Sequence, residues 1–159
     1  MDLLVGPDRV VTSRINDPSR SAPGDVLVKS ITGGWERTLE VRDKPVDHDD
    51  LINLASRAAA KAVHEVSMVA VAVTQTPLDF AEAQAWAAQR NVNLTVFLEW
   101  APLVRQILLW GPIPSLQAAK DLPAFILERL EALEVPVSSA EAWSALFPSP
   151  TPEEDQEIE

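Results

Sequence analysis

The chain has 159 residues, 47% of them hydrophobic, and its mean hydropathy is close to zero, which is typical of a globular domain with a core of its own. It contains no cysteine, so disulfides and thiolate metal sites are excluded. The formal net charge of -11 argues against a general polyanion-binding surface, because contacts to phosphates need lysine and arginine.

The acidic residues concentrate towards the end of the chain. Residues 1–44 hold seven basic and seven acidic side chains and are neutral, whereas residues 45–159 hold six basic and seventeen acidic ones. Five of those acids lie in the last seven positions, so the tail accounts for a large part of the negative charge.

Neither a membrane span nor a signal peptide is indicated by the sequence. No apolar run is long enough to cross a membrane, and the start, Met1-Asp2-Leu3, lacks a basic stretch and an apolar core of the signal-peptide type. We therefore expect a cytoplasmic protein with no membrane contact.

Two short runs predict a pair of neighbouring strands, at about residues 25–30 and 37–43. The segment between them contains Gly33 and Gly34, which favour a turn. Because the connection is so short, the two strands are expected to form an antiparallel hairpin.

Charged side chains on this hairpin indicate a candidate site. Residues two apart in a strand point to the same side, so Glu40, Arg42 and Lys44 would share a face, and pairing would bring Asp25 towards Glu40. Two carboxylates beside a cation suit a magnesium and phosphate site. The alternative is two solvent-facing acids, with Arg42 as a surface ion-pair partner that contributes little.

After the hairpin, predicted helices alternate with buried apolar strands. The helices are predicted at about 48–64, 77–90, 102–110, 115–133 (interrupted near Pro123) and 139–146, and the strands at about 66–73 and 94–98. Three helix starts carry capping signals: Asp47 with Asp50, Thr76 before Pro77, and Ser138 with Glu141. The acids from Asp47 to Asp50 are thereby interpreted as a helix start and not as a metal site.

This order predicts an α/β fold, with a mixed sheet flanked by helices on both faces and right-handed crossovers between the parallel strands. We expect a single domain over residues 1–147, with its core at about 10–110 and a helical C-terminal extension at 111–147. Residues 148–159 are rich in proline and acid and are predicted to be a disordered tail.

Tryptophans and a polar loop offer further DNA contacts, each with an ordinary alternative. Trp86 and Trp110 have the spacing of core residues on helices, whereas Trp35 is expected at the hairpin tip. Four polar residues precede Asp25 and either reach DNA phosphate or simply form a polar loop: Arg14, Asn16, Arg20 and Ser21.

Pro23-Gly24-Asp25 on one strand, Glu40-Val41-Arg42 on the next, and then a helix and a buried strand resemble the core of the PD-(D/E)xK nuclease superfamily. The segments 24–26 and 40–46 resemble restriction endonucleases in particular. The later stretch, from Val69 through 86–90 and 96–97 to Trp110, further resembles SacI-type restriction endonucleases, and the resemblance covers about residues 10–135. A restriction-endonuclease-like mixed sheet is the fold that this resemblance implies.

The resemblance also implies magnesium-dependent hydrolysis of a phosphodiester bond in double-stranded DNA. Asp25 and Glu40 would be ligands of Mg2+, with the Val41 carbonyl as a further ligand. Arg42 takes the place of the lysine that assists the attacking water, and Lys44 could stand in for it. A guanidinium keeps its proton, so Arg42 can bind phosphate and stabilise charge but cannot act as a base.

A second function stays open beside the nuclease. Arg42, the acidic surface and the lack of a clear acidic residue on a helix before the first strand favour a catalytically silent nuclease-like fold. Such a fold would act as a binding or regulatory partner in a restriction or phage-defence system. The chain begins late relative to the family pattern, which is expected of a shortened family member or of a fragment of a longer protein. A homodimer is compatible with either function, and the helices at 115–146 are candidates for dimer contact or DNA recognition.

Overall fold

A computed structural model describes residues 5–12, 22–132 and 136–147 of the chain. Two compact units meet in the sequence between Pro112 and Ile113. The predicted tail at 148–159 lies outside the described residues, and so do the polar residues Arg14, Asn16, Arg20 and Ser21.

The first unit is built on a mixed sheet. Within the described residues, five strands lie side by side in chain order. They are β1 (Val10–Thr12), β2 (Val26–Lys29), β3 (Trp35–Arg42), β4 (Glu65–Ala70) and β5 (Asn93–Phe97). β1, β2 and β3 are antiparallel, whereas β3, β4 and β5 are parallel. This arrangement confirms the predicted α/β mixed sheet.

Helices connect the parallel strands and cover both faces of the sheet. α1 (His48–Ala60) and α2 (Ala81–Ala88) pack with Met68 on one face. α3 (Trp100–Leu108) packs through Leu103 on the other. The small buried side chains of α1 and α2 allow these helices to lie close to the strands.

The predicted start of α1 is confirmed at atomic detail. Asp50 N–H donates to Asp47 Oδ1 at 2.9 Å, and Asp47 N–H donates to Asp50 Oδ2 at 3.3 Å, which is a capping box. These two acids therefore serve the helix terminus, as expected.

The predicted start of α2 at Thr76 and Pro77 is wrong, because α2 begins at Ala81. The chain before it is held by a side chain instead: Gln75 accepts from Val46 N–H at 2.8 Å and donates to Val46 O at 3.1 Å. This contact joins the segment before α2 to the residue before the α1 cap, and a local capping signal does not report it.

The positions of three tryptophans can be compared with the sequence-based expectations. Trp35 does not lie at a hairpin tip; it opens β3, is half-buried and packs against the core beneath α1 and α2. Trp86 packs against the same core, as predicted. Trp110 is half-buried, and the Arg37 guanidinium lies 4.1 Å from its ring centroid.

The second unit is helical where it is described. α4 (Ser115–Ala132) runs through Pro123 without the predicted interruption, and Trp143 Nε1 donates to Pro123 O at 2.8 Å. α5 (Val137–Leu146) begins one residue before Ser138, so the predicted cap at Ser138 is wrong. None of the described helices combines the length and the apolarity needed to cross a membrane.

Candidate active site at the end of β3

Glu40 is the centre of the candidate site. It lies on β3 in register with Met68 of β4, on the face that α1 covers. Its side chain is 6% exposed, and an isolated carboxylate at such a position would be strongly unfavourable. The fold must therefore supply partners for its charge.

Two arginines from different elements supply them. Arg42, two residues along β3, donates through Nη2 to Glu40 Oε1. Arg57, near the end of α1, donates through Nη2 to Glu40 Oε2 at 2.5 Å. Each carboxylate oxygen thus has its own guanidinium, and charge-assisted bonds of this kind are the strong class of hydrogen bond.

Each guanidinium also has a donor, its Nε, that makes no hydrogen bond among the described residues. In both Arg42 and Arg57 this atom is buried. A buried N–H without an acceptor is unfavourable, so each of these side chains would gain from a rearrangement that gave its Nε an acceptor.

Asp25 is bonded to the two β3 residues that flank Glu40. Its N–H donates to Leu39 O at 2.8 Å, and its Oδ2 accepts from Val41 N–H at 2.8 Å. Asp25 is exposed and lies one residue before Val26, which is paired with Leu39 at this end of the ladder. The N–H and C=O of a strand residue point to the same side, so the Val41 carbonyl faces the side on which Asp25 lies.

Gly24 explains why the chain can approach β3 so closely. A Cβ at this buried position would lie 2.8 Å from the backbone oxygen of Leu39, which cannot move without the strand. Only glycine fits without displacing the chain. The Gly24–Asp25 pair therefore positions the Asp25 carboxylate at Val41.

Four of the predicted site residues lie at one end of β3: Asp25, Glu40, Val41 and Arg42. The Asp25 carboxylate accepts a hydrogen bond from the Val41 N–H, whereas Glu40 is bonded to Arg42. Lys44 is different. β3 ends at Arg42, and Lys44 is exposed two residues beyond, so strand alternation does not align it with Glu40 as expected.

Arg57 was missed by the sequence analysis. Its contact with Glu40 spans 17 residues and depends on how α1 lies on the sheet. One signal was present: no acidic residue lies three or four positions from Arg57 in α1, so the helix itself offers it no partner.

The oxygen donors at this site are of the kind that magnesium prefers: two carboxylates and a backbone carbonyl. Among the described residues, no three or more His, Cys, Asp or Glu side chains form a group that could hold a metal ion. The donors of Asp25, Glu40 and Val41 fit a hard divalent ion in kind, and an ion at Glu40 has to displace an arginine.

Comparison with known proteins points to restriction enzymes. The chain is similar to the type II restriction enzyme SacI of Streptomyces achromogenes, with 29% identity over 141 residues. The match covers 87% of this chain but only 39% of that enzyme. No protein-family model matches the chain. This similarity, together with the mixed α/β sheet, supports a distant restriction-endonuclease-like relationship.

Proposed function

We propose that this chain is a nuclease domain of restriction-endonuclease type, which hydrolyses a phosphodiester bond of double-stranded DNA with the help of magnesium. The observation that supports it most is the meeting of Asp25, Val41 and Glu40 at one end of β3. The similarity to a type II restriction enzyme supports the same reaction class. We place this activity in the cytoplasm.

Each residue of the site has a separate role in the proposed reaction. Asp25, Glu40 and the Val41 carbonyl would hold the magnesium ion, which activates water and stabilises charge on the phosphate when bound. Arg42 would bind the phosphate, because its guanidinium keeps its proton and its side chain is 28% exposed. Lys44 is the candidate for assisting the attacking water, although it lies beyond the end of β3 and would have to turn towards Glu40 to do so.

A homodimer is part of the proposal, since two copies would place one site against each strand of the duplex. DNA also has to overcome the net charge of -11. We therefore expect weak binding with a shallow dependence on salt, because the few arginines around Glu40 can contact only a few phosphates.

The test is cleavage of supercoiled and linear DNA in magnesium and in manganese by the wild type and by Asp25→Asn and Glu40→Gln. Arg105→Gln, which removes an exposed charge on α3, is the matched control. We expect each site variant to lose at least about 100-fold in rate and the control to keep full activity. Equal cleavage by the wild type and both site variants would contradict the proposal.

A second function is favoured by one observation: both oxygens of Glu40 are held by arginines. A fold in this state could bind DNA or a protein partner without hydrolysing anything. Its signature would be DNA binding by the wild type that magnesium does not enhance, with no cleavage in either metal. Arg42→Gln would then weaken DNA binding, whereas Asp25→Asn would not.

A further inference from the structure

The cluster of Glu40 with Arg42 and Arg57, here named the arginine clamp, places two cations and one anion together. Both oxygens that a metal ion would use accept hydrogen bonds from guanidinium groups. A divalent ion at Glu40 would meet two positive charges at contact range, and both would oppose its binding. The clamp as it stands therefore favours anions over cations.

The two arginines differ in how readily they can leave. Arg42 lies two residues from Glu40 on the same strand face, so its guanidinium stays close to the carboxylate even when its side chain, 28% exposed, turns towards water. Arg57 projects from α1, and its side chain is 32% exposed, so rotation of that side chain alone takes the guanidinium into water. Its departure would also give its buried Nε a hydrogen-bond partner in the solvent.

Loss of Arg57 alone leaves Glu40 satisfied. Arg42 would still neutralise the carboxylate, and Oε2 would become open to a metal ion. Loss of Arg42 would instead remove the residue that the proposed function assigns to the phosphate. Arg57 is therefore the member of the clamp through which metal access can change without changing the reacting groups.

We propose that Arg57 is a positioning residue that occupies Glu40 Oε2 in the metal-free protein and yields this oxygen to a divalent ion. The inference rests on the proposed function, because it concerns the same metal site. It makes metal affinity a property of α1 as well as of β3, and it predicts a protein that needs more metal than its carboxylates alone would require.

Titration of Mn2+ alone into the DNA-free protein, followed by calorimetry, tests this directly. We expect Arg57→Gln to bind Mn2+ at least about tenfold more tightly than the wild type, which is the effect that one neighbouring charge has on the proton affinity of a carboxylate. Arg57→Lys keeps the charge but loses the planar fork, so its affinity should rise by a smaller factor. Arg105→Gln should match the wild type, and Glu40→Gln should lose the site.

A second measurement separates positioning from a purely structural role. The magnesium concentration that gives half-maximal cleavage should fall in Arg57→Gln by the factor found for Mn2+, without a rise in the maximal rate. A structural defect would lower the maximal rate and would not improve metal binding. Circular dichroism checks that the variant is folded, and Arg57→Lys carries the test if Arg57→Gln is not.

The outcomes distinguish this inference from the function on which it rests. Metal binding that Glu40→Gln abolishes, with equal affinity in the wild type and the folded Arg57 variants, would overturn the role of Arg57 and leave the metal site standing. If no variant shows binding that depends on Glu40, the proposed magnesium site itself fails, and the inference fails with it.

Discussion

Two glutamates on β3 are each held by two arginines, but in different surroundings. Glu36 contacts Arg9 at 2.5 Å and Arg37 at 2.7 Å, and its side chain is 35% exposed. Glu40, four residues further, contacts Arg42 and Arg57, and its side chain is 6% exposed. The chemistry of the two clusters is the same, and burial is what distinguishes them.

Burial changes what these ion pairs can do. At Glu36, water screens the charges, so the cluster contributes little beyond tying the turn before β1 to β3. At Glu40, the carboxylate has been removed from water, and its loss would leave two guanidiniums without their counter-charge. Hydrophobic residues could have filled the same space. A buried charge cluster therefore adds little to stability over an apolar core, and this one coincides with the site of the proposed function.

Removal of each glutamate gives the largest expected contrast. Glu40→Ala leaves Arg42 and Arg57 without their acceptor, and we expect the free energy of unfolding to fall by about 2–4 kcal/mol, somewhat less than for a fully buried pair because both arginines can turn towards water. Glu36→Ala should cost about 1 kcal/mol or less. Urea unfolding followed by circular dichroism measures both values, and equal losses would contradict the importance of burial.

Glycines at the two ends of β3 give a contrast of intermediate size. Gly24→Ala places a Cβ against Leu39 O, so the chain carrying Asp25 must shift, and we expect a loss of about 1–3 kcal/mol. Gly34, with φ of 75° and open space around it, is required only for its backbone conformation. Asparagine tolerates that conformation, so Gly34→Asn should cost under about 1 kcal/mol.

The site adds a readout to the glycine pair. Gly24→Ala should also lower DNA cleavage, because the Asp25 carboxylate loses its place at Val41. Gly34→Asn should leave cleavage unchanged. Similar stability losses with unchanged cleavage in both variants would show that the position of Asp25 does not depend on Gly24.

The order of elements could be predicted because it follows from strong local signals. The buried strand at β4 is apolar from Val66 to Ala70 apart from Ser67, and the capping box from Asp47 to Asp50 can be recognised directly in the sequence. The candidate acids could be predicted because Asp25 and Glu40 both belong to one hairpin. Short-range patterns therefore account for most of the sheet and for half of the site.

The remainder depends on contacts between distant parts of the chain. No local pattern links Arg57 to Glu40, because only the packing of α1 on the sheet brings them together. α2 begins at Ala81 and not after Thr76, and Gln75 in the segment before it bonds to Val46, 29 residues away. Pro123 was expected to interrupt a helix, yet α4 continues through it, with Trp143 bonded to the Pro123 carbonyl. In each case tertiary structure overrides a local propensity.

Salt dependence gives the smallest and most selective contrast. A double-mutant cycle on Arg9 and Glu36 should yield a coupling of about 0.2–1 kcal/mol at low salt, since the pair is partly exposed. Raising NaCl from about 0.1 M to about 1 M shortens the screening length from roughly 10 Å to roughly 3 Å, so most of this coupling should disappear. The coupling between Arg57 and Glu40 should persist, because the protein excludes the screening ions from Glu40. If both couplings disappeared together, Glu40 would be open to solvent ions, and the distinction between the two ends of β3 would be lost.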